Sequence, residues 1–266
     1  MSQDLIDTHC HLDIIEEQGQ NIKVSLEKSV TAGVKKLVQI GVDHKSSVFA
    51  KEISRKFGSD KLDIYYTIGC HPAYKEGFSE RDEIISLIDS NQSDPKLVGI
   101  GEVGLDYYHG KESILAQQEI LSTLLGEAKE RKMPVIIHSR DAAADTYQAI
   151  KSYNGGISGV IHCFTYDYEY GKKFADLGFF ISFSGIVAFK NATDIHDAAK
   201  KLPLDSILIE TDAPFLAPPP FRGKRNDPSN LVYILEKIFS LRDESNSTIE
   251  TAIFENSMKF ITRKGR

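Results

Sequence analysis

His9 and His11 stand two residues apart in the stretch IDTHCHLD, Ile6 to Asp13. On an extended chain alternate side chains leave the same face, so these two imidazoles project together while Cys10 turns the other way. Neutral imidazole is the commonest protein ligand for a transition-metal ion. A lone His-x-His is as readily an incidental polar strand end, so partners elsewhere in the chain must decide. Candidates are His71 in GCHP, Glu102, His138 with Ser139 and Arg140 behind it, His162, and the run Glu210-Thr211-Asp212.

Short apolar runs alternate with longer amphipathic ones along the whole chain. The runs predict strands at Leu5–His11, Lys36–Gly41, Ile64–Gly69, Leu97–Glu102, Val135–His138, Gly159–His162, Phe179–Phe183 and Ser206–Asp212. Helical patterns lie between them, at Gln20–Ala32, Lys45–Lys56, Ser79–Ser90, Lys111–Arg131, Ala142–Lys151, Glu169–Leu177 and Ala192–Lys200. Two more close the chain, Ser229–Leu241 and Thr248–Thr262. Eight strands, each followed by helix, predict an α/β fold of the (β/α)8 TIM-like kind, a distorted barrel of parallel strands with outer helices. An open doubly wound sheet is the alternative that the same alternation permits. No linker or repeat divides residues 1–266, so a single domain is expected, and α/β barrels reach this size as one unit.

Hydrophobic residues at 41% and charged residues at 26% are ordinary for a globular protein. No basic-then-apolar leader opens the sequence and no apolar run approaches spanning length, so a cytoplasmic protein with no membrane partner is expected. The three cysteines form no CxxC pair, which argues against a disulfide framework or a cysteine zinc site. A formal charge of −6 argues against a non-specific nucleic-acid coat but not against a nucleic-acid enzyme with a local basic patch.

In such barrels the active site forms at the carboxyl ends of the strands. Five of the eight histidines fall at or just past predicted strand ends, together with Glu102 and Asp212. A structural role is the usual reading for any one histidine, but not for five converging with two carboxylates. Four histidines and two carboxylates exceed the needs of one tetrahedral zinc. They suit two divalent ions about 3.5–4 Å apart that share a ligand, as in phosphoryl hydrolysis. Glu102, with two oxygens, is the natural bridge. Asp212 is placed to hold metal and take a proton from water. Glu210, on the same face, is expected to orient a ligand histidine.

The stretches IDTHCHLD, GCHP, GEVGLDY, VIIHSRDA, HCFT, SFSGIVAFKNA and ETDAPFLAPPPFRGKRNDP, running in this order from Asp7 to about Pro228, resemble the TatD-type metal-dependent deoxyribonucleases of the amidohydrolase superfamily. That resemblance implies a TIM-like barrel and cleavage of DNA, typically from strand ends, with magnesium or manganese; zinc is a further option. It implies that His9, His11, Glu102 and Asp212 hold one metal and that Glu102, His138 and His162 hold the second. His71 is similar to a non-ligand histidine near the scissile phosphate, and Arg140 and Arg222 match positions near the substrate. Family membership fixes the site better than the substrate, and other hydrolytic substrates, aminoacyl-tRNA among them, stay open.

Other patterns are weaker. Gly99-Ile100-Gly101-Glu102-Val103-Gly104 fits the dinucleotide fingerprint GxGxxG, yet no helix pattern follows, and Glu102 would put negative charge where a pyrophosphate must sit. The glycines are expected instead to let the backbone pass close to the metals. Cys10 and Cys163 are expected to be small buried hydrophobes facing away from the neighbouring histidines. His44, His109 and His196 are left as surface residues, with the pocket lining as the other possibility for His109, which follows Tyr107 and Tyr108. Arg222-Gly223-Lys224-Arg225, after a proline-stiffened loop, is read as a phosphate-backbone contact. Tyr74, Tyr107, Phe164 and Phe215 are candidates for stacking on bases, with lid packing as the other possibility.

The sequence thus predicts a monomeric two-metal phosphodiesterase acting on nucleic-acid strand ends. The competing readings are a metal-dependent hydrolase of a small ester, amide or lactone, and a non-enzymatic metal-binding scaffold. The last makes Asp212 superfluous.

Overall fold

A computed structural model describes residues 4–74 and 78–263. Its strands are β1 Leu5–Cys10, β2 Val34–Gln39, β3 Asp63–Cys70, β4 Leu97–Asp106, β5 Val135–Arg140, β6 Gly159–Ile161, β7 Phe179–Phe183 and β8 Ile207–Ile209. They pair in parallel, in sequence order, in one eight-stranded sheet. Past β8 the sheet returns to its start. Cys10 bridges to Ala213, the Thr8 hydroxyl donates to the Ile209 carbonyl at 2.9 Å, and Asp212 N–H donates to His9 O at 2.9 Å. The result is a nearly closed (β/α)8 barrel, and the open-sheet alternative is excluded.

The two faces of each strand go to different cores. One apolar cluster takes a residue from every strand, Ile6, Val38, Tyr65, Val98, Ile136, Val160, Phe180 and Leu208, and adds Phe260 and Ile261 from the last helix. Only side chains pointing inside the barrel meet in that way. The alternate set, including Leu37, Ile64, Val135 and Ile181, packs outward against the helices. Each fully buried Ile or Phe contributes about 1.5–3 kcal/mol.

The helices are α1 Leu12–Glu17, α2 Ile22–Thr31, α3 His44–Phe57, α4 Arg81–Asn91, α5 Ile114–Arg131, α6 Ala143–Lys151, α7 Tyr168–Asp176, α8 Thr193–Lys201, α9 Leu231–Leu241 and α10 Asn246–Ile261. Side-chain caps start several of them: Asp43 accepts from Ser46 N–H at α3, Asp167 from Tyr170 N–H at α7, and Ser245 from Thr248 N–H at α10. Helix α1 was not expected; its six residues bury only Leu12 and Ile15, too few for a periodic signal. Among the described residues no helix is long and apolar enough to cross a membrane.

Two strand ends differ from expectation in ways that matter for the site. β4 runs four residues past Glu102, pairing Gly104 with His138 and Asp106 with Arg140. β8 stops at Ile209, so Glu210, Thr211 and Asp212 belong to the turn beyond it. The glycines around Glu102 sit where strands pack closely. A Cβ on Gly104 would run into the His138 carbonyl, and one on Gly69 into the Gly101–Glu102 backbone.

Candidate metal centre

The site is anchored by Asp7, which is wholly buried. It accepts from Thr211 N–H at 2.9 Å, from the Thr211 hydroxyl at 2.5 Å and from His9 N–H at 3.3 Å. These bonds tie the first strand to the turn that carries Glu210 and Asp212. Burial pushes the Asp7 carboxyl up to about 7. Asp212 itself sits in the left-handed region at φ +54°, which turns its side chain back over β1.

Glu102, 2% exposed, lies at the hub. Its Oε1 is 2.7 Å from His162 Nε2, 2.9 Å from His138 Nδ1 and 3.2 Å from His71 Nε2. Its Oε2 is 3.4 Å from His9 Nε2 and 3.9 Å from His11 Nε2. Asp212 Oδ1 completes the ring at 3.5 Å from His11 Nε2 and 3.8 Å from His9 Nε2. The His9 and His162 rings stack at 3.9 Å and 8°, while His9 Nε2 and His11 Nε2 face each other at 3.1 Å. All five strand-end histidines and both carboxylates therefore meet in one mouth.

The partners behind the rings differ in which nitrogen they hold. His71 Nδ1 accepts from Ala73 N–H at 3.0 Å. The neutral ring then carries its proton on Nε2 and turns an N–H, not a lone pair, toward Glu102. His138 is the reverse case: its Nε2 lies 3.1 Å from Asp106 Oδ2. A carboxylate accepts only, so a proton sits on Nε2, and Nδ1, 2.9 Å from Glu102 Oε1, is the nitrogen that would give up its proton to a cation. His162 has Glu210 behind it, Nδ1 to Oε1 at 3.3 Å, though out of line for a good hydrogen bond. Glu210 Oε1 also accepts from Cys163 N–H at 2.6 Å.

The charges are mutually dependent. Burial raises the Glu102 carboxyl, but the facing His162 and His71 outweigh it and hold the group well below its usual range. Burial also lowers His162, and here Glu102 and Glu210 win, lifting it well above the ordinary value. His138 is held up likewise, against burial, by Asp106 and Glu102. Burial, reinforced by His162, takes His9 down to about 3 and so keeps it neutral.

This donor set fits divalent cations. Imidazole nitrogens and carboxylate oxygens converge on one another over 2.7–3.9 Å. Among the described residues three trios bring donor atoms within 4.8 Å of one another, the first two sharing His9: His9, His11 and Asp212; His9, His162 and Glu210; His71, Glu102 and His138. Of the five buried side-chain polar atoms without a partner among the described residues, four belong here: His9 Nδ1, His11 Nδ1, His162 Nδ1 and Glu210 Oε2.

A cavity of about 860 Å³ opens over the centre, lined among others by His71, Tyr74, His109, Arg140, Tyr166, Asp212 and Phe215. The remaining sequence candidates divide around it. Arg140 reaches the lining, its guanidinium 4.5 Å from the Tyr108 ring. Arg222 lies 4.6 Å over the Phe189 ring and is not among the lining residues. Arg225 is bound to the Gln18 carbonyl. Tyr74 and Phe215 are exposed at the mouth. Tyr107 turns aside to Asp145 at 2.7 Å. Phe164 is 2% exposed and packs on Phe183 and Tyr166, so it is core.

Two sequence readings need correction. Cys10 is buried, but Cys163 lines the cavity at φ +44°; β6 ends at Ile161, so strand alternation does not reach it. His109 is not an idle surface residue. It lines the cavity and its Nδ1 is 3.0 Å from Asp106 Oδ2. Asp106, buried and central, lies beyond the predicted end of β4 at Glu102; the apolar positions Val103 and Leu105 are the signal that the strand continues.

Known proteins share this architecture. The family model described as TatD related DNase matches residues 6–262. An uncharacterised metal-dependent hydrolase of Bacillus subtilis, YabD, is 35% identical over 256 residues, covering 96% of this chain and 98% of that one. The Escherichia coli protein YcfH, of the same description, is 35% identical over 90% of this chain and 88% of its own. The crystal structure of YjjV, a TatD homologue from E. coli, superposes with a TM-score of 0.86 at 26% identity, covering 97% of each chain. With its mouth of histidines and carboxylates, the chain is a metal-dependent hydrolase that belongs to the family of TatD-related DNases.

Proposed function

We propose that the protein is a deoxyribonuclease that hydrolyses DNA phosphodiester bonds from single-stranded ends. The observation that carries this reading is Glu102, one carboxylate with imidazole nitrogens on both oxygens. His9, His11, Glu102 and Asp212 would hold one divalent ion, and Glu102, His138 and His162 a second, with Mg2+ or Mn2+ in function and Zn2+ as an alternative. Such ions, when bound, polarise the phosphoryl oxygens and acidify water.

The chain supplies the rest. Asp212, at the edge of the cavity, takes the proton of the attacking water. His71 offers its Nε2–H to the phosphate or the departing oxygen. Arg140 pairs with a phosphate oxygen by a charge-assisted bond, and Arg222 contacts the strand beyond the mouth. Glu210 orients His162 from behind. Tyr74 and Phe215, exposed on the lip, stack on bases at a strand end. A recessed cationic centre in a chain of charge −6 admits an end more readily than it grips a duplex. The proposal includes action as a cytoplasmic monomer.

A second reading, hydrolysis of another ester or amide on the same centre, aminoacyl-tRNA or a small molecule, draws support from the engaged arginines. Arg222 lies on Phe189 and Arg225 on Gln18, which among the described residues leaves Arg140 the one arginine in the cavity lining. The two readings part on salt. A nuclease holding several phosphates weakens as salt rises, whereas a small-molecule hydrolase does not.

The test is digestion of an end-labelled single-stranded oligonucleotide with Mg2+, Mn2+ or Zn2+, beside Asp212→Asn. Shortening from one end is expected, abolished in the variant while DNA is still retained. Uncut DNA under every ion would sink the nuclease reading.

A further inference from the structure

Asp106 is 1% exposed and its carboxylate makes four contacts. Oδ1 accepts from Tyr108 N–H at 3.0 Å and His109 N–H at 2.7 Å, folding the loop after β4. Oδ2 meets His138 Nε2 at 3.1 Å and His109 Nδ1 at 3.0 Å. Gln117 locks the same residue from α5, with Oε1 taking Asp106 N–H at 2.8 Å and Nε2 donating to Asp106 O at 3.1 Å. The carboxylate is thus fixed, and two imidazoles are fixed to it.

His138 is singular among the five histidines of the centre. It turns Nδ1 toward Glu102, where the other four turn Nε2. That choice needs the proton kept on Nε2, and Asp106 is the acceptor that keeps it there. The same oxygen holds Nδ1–H of His109, whose side chain is half exposed and faces the cavity. With Nδ1 so engaged, the second nitrogen is left as the free polar end of the ring.

We propose that Asp106 is a positioning residue serving two histidines, setting the His138 tautomer for metal and presenting His109 as a further contact for substrate. The His109 half rests on the phosphodiester reading above; the His138 half does not. Asp106→Asn gives the sharper test. Its amide oxygen can still take the two loop N–H groups, but its NH2 faces His138 Nε2 and His109 Nδ1. A donor there forces the His138 proton onto Nδ1 and removes the lone pair that would bind metal. Asp106→Ala removes the acceptor without installing a donor, yet it also releases the loop. A purely structural role makes Ala the worse variant; tautomer control makes Asn at least as bad.

The experiment titrates metal-free protein with Mn2+ by calorimetry for the wild type, Asp106→Asn, Asp106→Ala and His109→Gln, with thermal melting alongside. Steady-state hydrolysis of bis(p-nitrophenyl) phosphate follows. In Asp106→Asn one class of Mn2+ site should weaken about 10–100-fold, with an unchanged melt. His109→Gln should bind Mn2+ as the wild type does while KM rises severalfold and kcat changes less. Mn2+ binding in Asp106→Asn equal to wild type, or clearly tighter than in Asp106→Ala, overturns the His138 assignment. An unaltered KM in His109→Gln overturns the His109 assignment. If the wild type cleaves no phosphodiester, the functional reading fails, while the Mn2+ titrations still decide the tautomer.

Discussion

The two ends of the barrel solve opposite problems. At the amino ends of β3 and β4 the charges are matched. Asp94 accepts from the Tyr66 hydroxyl at 3.0 Å, Lys96 N–H at 2.9 Å and Arg55 at 3.3 Å. Asp63 pairs with Lys96, whose ammonium also lies 4.6 Å over the Tyr65 ring. Arg263 donates to the carbonyls of Gln92, Asp94 and Leu97. At the carboxyl ends, imidazoles crowd round buried carboxylates and, among the described residues, four buried polar atoms have no partner. An unpaired buried polar group costs about 1–3 kcal/mol. The mouth therefore leans on the rest of the barrel for stability, which is the usual division of labour in this fold.

The largest expected contrast comes from Glu102→Ala. Loss of the hub should cut turnover by at least about a hundredfold, more than the loss of an outer partner does, and lower the bound-metal count. The melting temperature of the metal-free protein should stay level or rise. A fall in that melt would break the contrast, because the hub would then be structural. Next comes Glu210→Gln, which weakens the grip on His162. About 10–100-fold poorer metal binding is expected by calorimetry, and unchanged affinity would return Glu210 to an inert buried role.

The smallest effect belongs to the other end. Asp94→Asn should cost about 1 kcal/mol, a few degrees of melting temperature, with hydrolysis untouched. Burial raises the Asp94 carboxyl, but the Lys96 amide, Tyr66 and Arg55 outweigh it and hold it below its usual value. A depressed folded value gives stability above about pH 4 that is lost as pH falls through that value. The gap between wild type and variant should accordingly close in acid melts, and a gap constant from pH 7 to pH 3 would exclude this charge as its source.

Much of this was legible in the sequence. His9, His11, His138 and His162 lie on or just beyond strands whose apolar runs are plain. Asp106 was hidden because three glycines around Glu102 mimic a strand end; in fact Gly104 lets β4 run on against the His138 backbone. Phe164 read as a mouth residue because it follows His162, yet its N–H is held by Ser182 O and the ring is drawn into the core. The basic run from Arg222 carries no sequence cue that Phe189 and Gln18 occupy its arginines, since those contacts exist only after folding.

The seam between β1 and the turn after β8 joins residues as far as 204 positions apart, Asp7 to Thr211. A ribosome makes the first two imidazoles long before it makes their carboxylate partners. Any nascent or truncated product ending before Asp212 lacks the last carboxylate of the mouth and has an unclosed wall, so the barrel can close only after the turn beyond β8 has been made.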